Sequence, residues 1–140
     1  MINVFQQNYD TRLRSWYDLR TKIEKLDIET KCVEIDRFWQ NAPLVNHHLH
    51  ILDTESWPDP WQLLSDNVYC PVARALGILY TISLLDRADM ADAKLVLTKD
   101  GDNLVLVAKE KYILNWSPDS VVNTFQEVKI VRQLKQQQIK

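Results

Sequence analysis

The chain has 140 residues, 46% hydrophobic and 26% charged, with a net charge of −2. That length suits a single domain with a core of its own, and the balance is an ordinary globular one. The missing basic excess argues against a nucleic-acid partner.

Residues 1–9 are polar and read as flexible. From Asp10 the apolar positions Leu13, Trp16, Tyr17, Ile23 and Leu26 recur at helical spacing, with Arg20 interrupting them. Asp27 suits the cap of a second helix, with Glu29 in its first turn and Cys32, Ile35, Phe38 and Trp39 on its buried side. Asn41-Ala42-Pro43 ends it. Leu44 to Trp57 has no clean period and carries all three histidines, His47, His48 and His50. Asp59-Pro60 is a helix start, with the acid as cap and proline in the first turn. The short helix over Trp61 to Leu64 stops at Ser65-Asp66-Asn67.

Cys70-Pro71 repeats the start signal, and Pro71 to Leu85 is apolar nearly all round. Such a helix is a central, buried one. The period then changes. Lys94 to Thr98, Leu104 to Ala108 and Tyr112 to Trp116 read as three strands of an antiparallel meander. Ser117-Pro118-Asp119 breaks it, and a further strand is expected around Val128 to Val131. The tail, residues 134–140, reads as flexible. The expected class is α+β: N-terminal helices and a central buried helix on a three- to four-stranded antiparallel sheet, in one domain over residues 1–140.

Cys32 and Cys70 form neither a disulfide framework nor a metal-knuckle pattern, so a reduced, intracellular setting is expected. No apolar run reaches the length of about 18 residues that a membrane span needs, so no membrane partner is expected. Met1-Ile2-Asn3-Val4-Phe5 lacks the basic start of a secretory signal.

Cys70 stands at the head of its helix, where free N–H groups and the helix dipole favour a thiolate. Helices, then a cysteine heading a buried helix, then an antiparallel meander: this order resembles the transglutaminase-like thiol enzymes. Trp57-Pro58-Asp59-Pro60-Trp61-Gln62-Leu63-Leu64 resembles the segment that precedes the cysteine in the bacterial and phage branch of that family. The resemblance implies a catalytic histidine at the start of the second strand and an aspartate at the end of the third. Those positions hold Asn103 and Asn115. Asparagine can replace an orienting acid, but it cannot accept the thiol proton. No histidine follows Cys70.

A second resemblance covers most of the chain. Trp16-Tyr17-Asp18-Leu19-Arg20, the run from Cys32 to His50, and Asn67-Val68-Tyr69-Cys70 are similar to small proteins of tailed phages of marine cyanobacteria. It implies a viral origin and no particular activity.

These readings give a non-enzymatic, phage-encoded binding or structural protein on a degenerate transglutaminase-like scaffold. Its expected partner is another protein, viral or host, met in the virion, during assembly or in the infected cell's cytoplasm. No cofactor is expected. The candidate binding residues are Trp57, Trp61, Tyr69, Cys70, Asn103 and Asn115. One alternative is a thiol hydrolase or acyltransferase using Cys70 with His48 or His50, and with Asn115 as orienting group. Another is a metal-stabilised domain in which His47 and His50 bind with Cys32, Cys70, Asp53 or Glu55.

Overall fold

The computed structural model describes residues 3–44, 56–85, 88–98, 103–108, 112–117, 120–122 and 130–135. Their side chains are described for 3–44, 56–85, 88–97, 104–108 and 112–115.

Among the described residues four α-helices precede the sheet: α1 (Tyr9–Ile23), α2 (Ile28–Gln40), α3 (Pro60–Asp66) and α4 (Pro71–Leu85). Local chemistry sets their starts. The Asn8 side chain accepts the Thr11 N–H at 2.9 Å, and Asp59 accepts that of Gln62 at 2.8 Å, each satisfying an orphan donor. Asp27 precedes α2 in extended conformation, and its carboxyl is held below its usual pKa by the Thr30 hydroxyl. Pro60 and Pro71 open α3 and α4, where a missing N–H has no cost. Asn67 ends α3 in the left-handed region, with φ 53°.

Two arginines then tie helix ends together. Arg12 of α1 donates from Nε to the Leu64 carbonyl at 2.9 Å and from a terminal nitrogen to that of Ser65 at 3.2 Å. Arg74 of α4 donates from Nε to the Ala42 carbonyl at 2.9 Å and from Nη2 to that of Gln40 at 3.2 Å. Each guanidinium thus meets the negative, donor-hungry C-terminal end of a helix, α3 in one case and α2 in the other.

α4 is the hub. It packs on α1, α2 and α3 and on the first three strands, so most of its residues are buried. The fully buried Trp39 ring of α2 lies against α4 at Gly77. The buried Thr81 hydroxyl, one turn on, accepts the indole N–H of Trp16 at 2.8 Å and that of Trp39 at 2.9 Å. It donates in turn to the Gly77 carbonyl at 2.8 Å. One hydroxyl thereby satisfies two indoles that three helices have taken out of water.

The N-terminal segment, read as flexible, places one residue in the core. Asn3 caps a 3₁₀ turn, Val4–Gln6, and Phe5 is buried against Phe38, Trp39 and Tyr69 with ring centroids 5.3–5.5 Å apart. One large aromatic in a polar stretch is enough, because a ring of that size anchors its neighbours when a pocket receives it.

The sheet contains β1 (Lys94–Thr98), β2 (Asn103–Val107), β3 (Tyr112–Ser117), β4 (Ser120–Val122) and β5 (Ile130–Lys135) in the order β4-β3-β2-β1-β5, every pairing antiparallel. The α+β architecture expected from the sequence is the observed one, with one strand more. Chain after the Pro118 break pairs again as β4, and β5 runs to Lys135, inside the tail read as flexible. Leu95, Leu97, Val105, Val107 and Leu114 join the helices in the main core. Val96, Leu104, Leu106 and Ile113, on the other face, form a second buried cluster. Burial on both faces explains the unbroken apolar run Leu104-Val105-Leu106-Val107, where a half-exposed strand would alternate. Among the described residues, no helix is long and apolar enough to cross a membrane.

Candidate functional site

Cys70 lies where the sequence places it, directly before α4. Its carbonyl accepts the Arg74 N–H at 3.0 Å, which makes it the residue that opens the helix. Before it, Tyr69 pairs with Leu44 in a short parallel bridge. The thiol is not presented to solvent: Cys70 is 2% exposed and belongs to the main core cluster. Trp57 and Tyr69 are buried with it, at 1% and 0% exposure. The Tyr69 hydroxyl faces the Leu63 carbonyl at 3.4 Å, and burial pushes its pKa up. A cavity of 140 Å³ does open between α3 and the first turn of α4, lined by Pro58, Gln62, Leu63, Val68 and Ala73. Cys70 is not among its lining residues.

Trp57, Tyr69 and Cys70, named among the candidate binding residues, are thus buried in the main core. The turn leading into α3 sends Trp57 inward, while Trp61, in the first turn of that helix, stays 47% exposed.

Asn115 sits on β3 with φ 63°, where the β3–β4 register shifts between Ile113 and Ser117. Such an irregularity re-aims a side chain, and here α2 holds it. The buried Asp36 carboxylate accepts the Asn115 N–H at 2.8 Å, and Gln40 Nε2 donates to Asn115 Oδ1 at 3.1 Å. Arg74 binds the Gln40 carbonyl, so one polar seam runs from α4 through the end of α2 to β3. In this seam the Asn115 amide oxygen fastens sheet to helix. Asn103 begins β2 opposite Leu97, at the strand position expected of it; its side chain lies outside those described.

His47, His48, His50, Asp53 and Glu55 lie outside the described residues. Cys32, offered as a ligand in the metal reading, is buried in the core, and burial, with Asp89 and Asp36 adding to it, pushes its thiol up to about 12. A buried thiol so reluctant to ionise is a poor nucleophile. Among the described residues, no three His, Cys, Asp or Glu side chains are placed to hold a metal.

The exposed chemistry lies elsewhere, on α1 and α3. Trp16 is buried and fixed by its bond to Thr81. Trp61 meets it edge-on with centroids 5.7 Å apart, and the Arg20 guanidinium lies over it at 4.5 Å. Arg20 also approaches the Tyr17 ring at 5.7 Å, and Tyr17 is 60% exposed. Stacking of this kind contributes roughly 0.5–2 kcal/mol and holds the guanidinium flat. Sequence reading singled out Trp61 but missed Tyr17 and Arg20, taking Arg20 for an interruption. The signal was spacing: Trp16, Tyr17 and Arg20 stand at i, i+1 and i+4, so the arginine reaches back over both rings.

No protein-family model, curated protein or solved structure matches the chain.

Proposed function

We propose that this protein acts by binding another protein through the α1–α3 face formed by Tyr17, Arg20 and Trp61, and not by turnover at Cys70. The observation that carries the reading is a contrast in exposure. The cysteine that would do chemistry is packed into the core, while two large aromatics and an arginine stand at the surface over a rigid tryptophan. Tyr, Trp and Arg are the residue types that most often anchor protein interfaces. In this reading the chain is a phage-encoded binding or structural protein on a transglutaminase-like scaffold, with Asn103 and Asn115 in place of the catalytic base and acid. Its partner is a virion, assembly or host protein.

The test is affinity capture from infected-cell lysate with the intact chain and with a Tyr17→Ala/Trp61→Ala variant. Each bound fraction is quantified by mass spectrometry. The reading expects a stoichiometric partner on the intact chain that the folded variant loses. Equal capture by both would remove the α1–α3 face from consideration.

A further inference from the structure

We propose that Arg20 is the anion-binding centre of the α1–α3 face and receives a carboxylate from an acidic, apolar-flanked segment of the protein partner. This inference rests on the reading of that face as a binding surface.

The guanidinium is half-buried over Trp16, and its Nε is enclosed without a hydrogen-bond partner. Among the described residues no carboxylate pairs with it. Lys22 and Arg37 do pair, both with Glu34, and Lys31 pairs with Asp89. Burial also lowers the Arg20 pKa, so the group has lost hydration with no carboxylate beside it among the described residues. A desolvated cation in that state gains more from an incoming anion than a hydrated one does.

The surroundings select the kind of anion. Tyr17, beside the guanidinium, and Trp61, against the Trp16 ring that the guanidinium covers, are both exposed, so apolar side chains beside the anion find contact. The chain carries a net charge of −2, which opposes a polyanion such as a nucleic acid. A single stacked arginine framed by aromatics fits one carboxylate with apolar neighbours. The planar fork accepts it through two parallel N–H···O bonds, and the stack holds the fork in advance of binding.

The experiment is an NMR titration of the ¹⁵N-labelled full chain, following the Arg20 Nε–H and Trp61 indole N–H signals. The probes are a capped tripeptide Phe-Glu-Leu, its isosteric counterpart Phe-Gln-Leu, and inorganic phosphate at matched ionic strength. The acidic peptide should shift both signals and bind about tenfold more tightly than the glutamine peptide. Arg20→Gln should erase that preference, and Arg20→Lys, which keeps the charge without the fork, should restore part of it. Unchanged amide spectra establish that each variant is folded, and either variant alone suffices for the comparison. Equal binding of the two peptides at Trp61 would overturn the role of Arg20 and leave the binding face standing. Phosphate shifting Arg20 at lower concentration than the acidic peptide would overturn the carboxylate assignment. No shift on α1 or α3 with either peptide would count against the proposal and the binding face together.

Discussion

Trp39 and Gly77 are in contact so close that no side chain fits between them: a Cβ on Gly77 would stand 2.6 Å from the Trp39 ring. The ring has nowhere to go, because its N–H is held by Thr81 and it packs against the Trp16 and Phe5 rings. In an exposed helix a glycine-to-alanine change stabilises by about 1 kcal/mol. Here the overlap reverses the sign. Gly77→Ala is expected to destabilise the protein by about 1–3 kcal/mol, read as a lower midpoint in urea unfolding. A raised midpoint would contradict the packing.

Thr81→Val keeps the shape of the side chain and removes the acceptor shared by the Trp16 and Trp39 indoles. Two buried N–H groups then lack a partner, each costing about 1–3 kcal/mol. The expected loss is about 2–6 kcal/mol. Thr81→Ser retains the hydroxyl and should lose far less. Similar losses for the two would assign the role of Thr81 to its methyl group.

The helices were legible because their signals are local. Asp59-Pro60 and Pro71 mark starts, and the run from Val72 to Leu85 declares a buried helix. What the sequence hid depends on residues distant in the chain. Gly77 reads as a neutral small residue until Trp39 is brought against it. Phe5 looks like part of a polar lead until Phe38, Trp39 and Tyr69 form its pocket. Trp57 and Trp61 share a proline-rich segment, yet one is core and the other surface, since the turn between them decides which way each faces. Arg20 breaks an apolar pattern only if the pattern is counted by residue type; its stem and fork lie along the rings it follows.

Stability should fall in alkali. Burial raises the Cys32 thiol from its ordinary 9.0 to about 12. Below about pH 9 the folded and unfolded chains both keep the proton, and the full stability is present. Between 9.0 and about 12 only the unfolded chain releases it, so Cys32 withdraws stability at a limiting slope of about 1.4 kcal/mol per pH unit. Tyr69 and Tyr80, raised by burial from 10.0, add to the loss above that value. The urea midpoint should hold level from about pH 7 to 8.5 and then decline. Cys32→Ala should flatten the decline between about pH 9 and 10. A midpoint level to about pH 11 would contradict the burial of all three groups.

Both thiols should react slowly with iodoacetamide in the native protein near pH 7 and quickly after unfolding. For Cys70 the cause is enclosure in the main core, at 2% exposure. Cys70→Ser should fold with a cost of roughly 1 kcal/mol, since it places a stronger dipole in an apolar site. Rapid native labelling of Cys70 would return it to consideration as a nucleophile.

The central claim, that the α1–α3 face acts and Cys70 does not, is tested most directly by affinity for the captured partner. Titration calorimetry would compare the intact chain with Cys70→Ser and with Tyr17→Ala/Trp61→Ala, each verified as folded. The account predicts a Kd within about twofold of the intact chain for Cys70→Ser. For the aromatic variant it predicts a loss of about 30-fold or more, the equivalent of about 2 kcal/mol at an interface anchor. Abolished binding in Cys70→Ser, with the aromatic variant unaffected, would contradict it.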